Sequence, residues 1–284
     1  MRTTFQSRGS RFSPVPVQPR RKNAAFLRLS SEISRPSNAH CAIRTFRIKG
    51  RRRQMQQLRC YGDDRNKGFC VHCGGPSETV DHVPSKVLLD EPYPENLMAA
   101  PACRKCNNGL SLDEEYLACL LECVIAGNTA SETMRRTKIA RILRENSSLL
   151  ARLQRARTEG VDGPIWVVEN DRVNRVALKL ARCHAAFELN EPQIQEPSHC
   201  ALKPLSLMSA DERAAFEGGD DVFDIWPEVG SRAMQRLLVA GADVFNEGWL
   251  EVQEGNYRFR VSQASGLVVK IVLREYLGCE VVWD

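Results

Sequence analysis

The residues whose types and spacing could do chemistry together fall between Cys70 and Asn108, where the chain reads CVHCGGPSETVDHVPSKVLLDEPYPENLMAAPACRKCNN. Two Cys-x-x-Cys pairs, Cys70/Cys73 and Cys103/Cys106, each put two thiolates on one tight knuckle from which both can reach one ion. Together they form the tetrahedral four-sulfur set that zinc prefers in closed, structural sites. A redox dithiol would need only one such pair. The 29 residues between the pairs exceed a minimal zinc ribbon and leave room for a functional insert. His72, between two of the ligands, is expected to point away from the ion. The insert holds Asp81, His82 and Asn96, and Asn107 follows the last cysteine directly. A neutral imidazole near pH 7 can take a proton from water. A carboxylate and an amide oxygen make a hard donor set of the kind Mg²⁺ or Mn²⁺ accepts while keeping several waters.

Short elements must position these groups. Residues 79–83 read as a strand that stops at Pro84, and on a regular strand Asp81 and His82 face opposite ways. A loop stiffened by Pro84, Pro92 and Pro94 follows. Residues 96–100 return as a second strand that Pro101 is expected to end, and a helical turn starts at Cys103. The order is strand, loop, strand, helix, with a cysteine knuckle at each end.

Knuckle, Asp-His-x-Pro, Asn-Leu and Cys-x-x-Cys-Asn in this order resemble the HNH endonucleases of the four-cysteine subclass, whose ββα-metal fold is similar to that of endonuclease VII. The resemblance spans residues 70–108. It implies that His82 is the general base that activates water and that Asp81 is a ligand to a catalytic Mg²⁺ or Mn²⁺. Asn107 would be the second ligand, with Asn108 as an alternative, and Asn96 would brace the loop across the site. Phosphodiester hydrolysis has matching needs, a base for water and a cation for the charge that develops on phosphate and leaving oxygen.

The rest of the chain is read for what could support such a site. The net charge of +5 is uneven: residues 1–59 carry 15 Lys/Arg against the single acid Glu32, a balance of +14 that leaves −9 for the remainder. This Arg/Ser/Pro-rich tail cannot bury enough apolar surface to order itself and is expected to be disordered. It reads as an upstream extension ahead of Met55, an organelle-type presequence or a phosphate-binding arm. Ser111-Leu112-Asp113-Glu114 matches a capping box ahead of a helix that Gly127 stops. On that helix Cys119 and Cys123 read as small core residues. A second helical stretch, 132–157, breaks at Asn146-Ser147-Ser148, and a short strand at 165–169 follows. A third helix, 171–189, buries Val173, Val176, Ala177, Leu180 and Phe187 together with His184, read as a core histidine. Arg172, Arg175, Lys179 and Arg182 recur at 3, 4, 3 spacing and make a basic stripe on this helix, read either as a solvated face or as lying along a phosphate backbone with Arg104 and Lys105 as further contacts. The last quarter reads as antiparallel strands at 249–253, 257–262, 267–274 and 280–283, with turns at Gly255-Asn256 and Ser265-Gly266.

The expected architecture is α+β. A disordered basic tail (1–59) precedes a zinc-stapled HNH domain (60–127), a basic helical region (128–200) and a mostly β C-terminal region (201–284). The expected partner is nucleic acid, DNA in preference to RNA, and not a membrane, since no apolar run approaches the length of a span. With no secretory signal in evidence, a cytoplasmic location and metal-bound, not disulfide-bonded, cysteines are expected. The competing readings are a zinc-ribbon module that binds nucleic acid without catalysis and a cysteine redox protein.

Overall fold

A computed structural model describes residues 11–12, 64–94, 97–161, 163–218, 238, 248–263 and 266–284. After a short helix, α1 (Asp64–Lys67), the candidate segment folds as two strands and a helix. Strand β2 (Thr79–Val83) pairs antiparallel with β3 (Met98–Ala102), setting Asp81 opposite Ala100 and His82 opposite Ala99. Alternation fixes the faces: Asp81 and Val83 are buried, and Val80 and His82 turn to the other side. Helix α2 (Arg104–Gly109) follows at once, with Cys103 as its N-cap. The second strand lies two residues later than the sequence suggests, and Pro101 sits inside it. Pro101 is tolerated because its backbone polar groups face away from β2, so the ladder asks no N–H of it. Its carbonyl accepts a hydrogen bond from Val71 N at 3.0 Å, which ties the first knuckle to β3.

Helix α3 (Ser111–Ala126) runs through the middle of the molecule and ends at Gly127, whose φ of 71° is the left-handed cap a glycine supplies without strain. Its start corrects the expected capping box. Leu110 is the N-cap, Ser111 already lies in the first turn with its hydroxyl donating to Asn108 O, and Glu114 is buried in the core. A capping box does form at Ser209 and Glu212, ahead of α7 (Ala210–Glu217). Cys119 and Cys123 are core residues, as read from sequence, and burial pushes the Cys123 thiol up to about 12. The basic stretch folds as α4 (Thr137–Glu145) and α5 (Ser147–Ala156). They break where Asn146 caps the second, accepting from Leu149 N at 3.0 Å. A hairpin of β4 (Arg157–Gly160) and β5 (Gly163–Val167) leads to α6 (Asn170–Leu189). The two described residues of the N-terminal tail, β1 (Arg11–Phe12), pair with β5; the rest of the segment expected to be disordered lies outside the described residues.

The C-terminal strands β7 (Leu250–Gln253), β8 (Tyr257–Ser262), β9 (Leu267–Leu273) and β10 (Leu277–Trp283) form the expected antiparallel meander. A fifth strand, β6 (His199–Pro204), joins at the β10 edge and gives the order β6-β10-β9-β8-β7. Helix α6 packs between this sheet and α3. There His184 is fully buried, stacked on Phe259 and hydrogen-bonded through Nε2 to Tyr257 Oη at 2.7 Å. One hydrophobic cluster runs from Val71 through α3 and α6 to Trp283, so the knuckle region, helices and sheet share a core. No described helix is long and apolar enough to cross a membrane.

The loop between β2 and β3 is anchored to the rest of this body by Asp90. Its carboxylate takes Arg136 Nε at 2.6 Å, Arg274 Nη1 at 3.1 Å and Asn256 Nδ2 at 2.9 Å. Arg136 also donates to the carbonyls of Val87 and Leu89, and Arg274 reaches the buried Glu122 at 3.2 Å. Burial pushes the Asp90 carboxyl up, but the Asn256 hydrogen bond and the charges of Arg274 and Arg136 outweigh it and hold it below the usual range. A group with a lowered folded pKa adds stability above its unfolded value, near 3.9, that is lost as pH falls through the folded one. Asp90→Asn is therefore expected to cost about 1.5–3 kcal/mol at pH 7 in chemical denaturation. The difference from wild type should start to shrink below about pH 4, where the unfolded chain takes up the proton, and vanish as pH falls through the lower folded value. A cost independent of pH would contradict this account.

Candidate metal centre and catalytic site

The first knuckle forms because Gly74, at φ 72°, turns the chain back after Cys73. Gly74 N then bonds Cys70 O at 2.8 Å, and Cys70 N bonds Gly75 O at 2.7 Å. Backbone N–H groups also point at sulfur, from His72 to Cys70 Sγ at 3.4 Å and from Cys106 to Cys103 Sγ at 3.3 Å. The second knuckle is the first turn of α2. Its backbone is fixed to the approach to β2 by Glu78, whose Oε2 accepts from Arg104 N at 3.1 Å.

These two turns bring all four expected cysteines together, every Sγ within 4.8 Å of the others. Cys73 and Cys103 are 3.8 Å apart, well beyond a disulfide, and all four cysteines are free. A tetrahedral ion with sulfur at about 2.3 Å has S···S edges of about 3.8 Å, so the set can hold a metal such as zinc. Its proton affinities fit the same role. Hydrogen bonds from Cys106 bring Cys103 down to about 7, while burial pushes Cys70 and Cys106 up. Four crowded thiols cannot all ionise without a compensating cation, and a dication supplies it.

The residues expected to do chemistry are split by the strand. His82 is half-buried on the outer face of β2, and its Nδ1 is enclosed without a hydrogen-bond partner. Asn107, on α2, reaches the same strand: its Nδ2 donates to Thr79 Oγ1 and Val80 O, each at 3.2 Å. Thr79 Oγ1 itself donates to Ala102 O, so it must accept from Asn107, which leaves the Asn107 Oδ1 without a described donor. Asn108 is exposed, and its carbonyl accepts from Ser111. Asn96 lies outside the described residues.

Asp81 is elsewhere, which corrects its expected place beside a catalytic ion. Its side chain is 3 % exposed, with Oδ1 on Lys179 Nζ at 2.9 Å and Oδ2 on His72 Nε2 at 3.1 Å. Lys179 Nζ also bonds Glu114 Oε1 at 2.5 Å, and Cys183 Sγ lies 3.7 Å from His72 Nε2. His72, Asp81 and Cys183 are close enough to share a metal, but the Lys179 ammonium already neutralises the carboxylate. His72 does point away from the thiol cluster, as expected, and it does so to meet Asp81.

The basic stripe of α6, expected to lie along a phosphate backbone, is instead paired within the protein, although the Arg175 side chain stays half-exposed. Arg172 and Arg175 each take one oxygen of Asp113, at 2.5 and 2.8 Å, Lys179 is buried, and Arg182 holds the Ile194 and Gln195 carbonyls. Burial raises the Asp113 carboxyl, but hydrogen bonds from Arg175 and Arg172 outweigh it and hold it low. The reason is helix packing. Asp113 and Glu114 sit on the first turn of α3, and α6 crosses it with cations on the contacting face. Arg104 and Lys105 differ: both are exposed on α2 beside the thiols. Sequence reasoning missed His72, Glu114 and Cys183 as parts of one buried cluster. Its only local trace was the acid pair at 113–114, which a capping box also explains.

If the thiols hold a metal, Cys103→Ser should lose it and much of the fold's stability with it. Metal content after gel filtration and a thermal melt would check this, and a variant that keeps one ion per chain and the wild-type melting temperature would contradict it. No family model, no curated protein and no solved structure matches this chain.

Proposed function

We propose that this protein is a zinc-stapled, metal-dependent endonuclease that hydrolyses phosphodiester bonds, with DNA as the favoured substrate. The observation that carries the reading is the ββα unit closed by four thiols, which sets the His82 imidazole on the strand that Asn107 grips from α2. Zinc in the four-sulfur site is structural: all four positions are filled by protein, so none is left for substrate. It clamps the start of β2 and the start of α2 together.

His82 is the base. Its half-buried ring lies on the outer face of β2, where a neutral imidazole can take a proton from an attacking water. Asn107 Oδ1 is the protein oxygen left to hold a catalytic Mg²⁺ or Mn²⁺, and such an ion would supply charge to the phosphate and leaving oxygen. One protein ligand is compatible with Mg²⁺, which keeps several waters and takes the rest of its shell from substrate phosphate. Asp81 has no part in the chemistry; it fixes the strand that presents His82.

The burial of Asp81 also favours a second reading, a zinc module that binds nucleic acid without cutting it, because it removes one of two expected ligands. Supercoiled plasmid separates the two. The nuclease reading expects nicking or linearisation that needs added Mg²⁺ or Mn²⁺. His82→Ala should slow cleavage by about 10²–10⁴-fold with bound zinc and the melting temperature unchanged. Wild-type cleavage by His82→Ala would remove the base assignment, and a wild-type chain that shifts the plasmid without cutting it would favour the module.

A further inference from the structure

We infer that one nucleic-acid strand lies along β2, its phosphates held at one end by Arg104 and Lys105 and at the other by Lys86, Lys138 and Arg141. The inference rests on His82 being the reaction centre, since the two cation groups flank it along the strand.

The topology places them. Thr79, at the start of β2, pairs with Ala102, two residues before Arg104, and the preceding Glu78 holds Arg104 N. Arg104 and Lys105 are exposed at this end. The other end of β2 leads through Pro84 into a turn at Lys86–Leu88. Lys138, on α4, donates from Nζ to Lys86 O at 3.4 Å and to Tyr93 Oη at 3.0 Å. The ammoniums of Lys86 and Lys138 both lie over the Tyr93 ring, 5.8 and 5.4 Å from its centre. Arg141 is exposed one turn on from Lys138.

Chemistry sets these cations apart from the α6 stripe. Among the described residues no acid pairs with Arg104, Lys105, Lys86, Lys138 or Arg141, whereas Arg172, Arg175 and Lys179 are all matched to carboxylates. Tyr93 does more than pack. Its ring face attracts both ammoniums and offsets the repulsion between them, so the pair is assembled before any ligand arrives. Its hydroxyl donates to Glu91 at 2.9 Å, which fixes the ring. Two gathered ammoniums with an unpaired guanidinium on the next turn suit a line of phosphates better than a single small anion. The eight residues from Thr79 to Lys86, seven Cα-to-Cα steps, span at most roughly 25 Å, the reach of about seven phosphates along a duplex strand.

The test is binding, measured on the full chain without added divalent cation so that no cleavage intervenes. Fluorescent duplex and single-stranded DNA of equal length would be titrated across a salt series. Lys86→Gln/Lys138→Gln/Arg141→Gln is expected to lower the slope of log affinity against log salt by about 2–3 for duplex, and by about 2 for single strand. Arg141→Gln alone, on an exposed side chain, should lower it by about 0.9 and guards against a folding defect in the triple variant. Arg155→Gln, an exposed cation on α5, should leave the slope as in wild type. A wild-type slope in the triple variant, or an equal loss in Arg155→Gln, would overturn the track. Slope loss in a chain that never cuts plasmid would support the track while removing the catalytic reading; cutting without slope loss would remove the track alone.

Discussion

One ammonium holds two buried carboxylates at the centre of this molecule. Lys179 Nζ sits 2.9 Å from Asp81 and 2.5 Å from Glu114, with all three side chains almost wholly excluded from solvent. Burial works against the Lys179 charge, yet Glu114 and Asp81 outweigh it and raise its pKa; burial raises Glu114 as well, against the pull of Lys179. Breaking a buried pair costs about 3–5 kcal/mol, because the partner is left charged and unmatched. The contact therefore fixes which face of β2 points inward. A slip of one residue would exchange Asp81 for His82, burying the imidazole and exposing the carboxylate. The position of His82 is set from behind, by a helix that begins about ninety residues later in the chain.

The thiol cluster acts on the same strand from its ends. Its knuckles join the chain before β2 to the start of α2, and the Asp90 network pins the intervening loop to α3, α4 and the C-terminal sheet. A ββα unit of this size has little core of its own. Here it borrows one, since Val71, Val83, Leu88 and Met98 belong to the cluster that also contains Phe259 and Ile271. The regions that look separable along the sequence are joined by that burial.

What was legible in the sequence was what depends on near neighbours. Cysteine spacing gives the metal set; apolar periodicity gives α3 and α6 and the burial of His184; Gly127 and Asn146 mark helix ends by their own backbone preferences. What depends on distant partners was not legible. The 3, 4, 3 spacing of Arg172, Arg175, Lys179 and Arg182 shows that they share a face, but only packing against Asp113 and Glu114 decides that Arg172, Arg175 and Lys179 are spent on carboxylates of the protein itself. Ser111 and Glu114 have the spacing of a capping box, and the tertiary pairing of Glu114 with Lys179 wins. Strand β6 lacks clean alternation and exists because β10 offers it an edge. For Asp81 and His82, alternation already predicted opposite faces, but not which of the two would be buried.

That division of labour on β2 is the centre of the account, and Asp81→Asn tests it most directly. Denaturation midpoint and plasmid cleavage would be measured together, the latter across a range of Mg²⁺ concentrations. A structural Asp81 predicts a lowered midpoint, with the Mg²⁺ concentration for half-maximal cleavage unchanged below that midpoint. A wild-type midpoint with cleavage abolished, or a large rise in the Mg²⁺ required, would show that Asp81 serves the metal and would contradict the account.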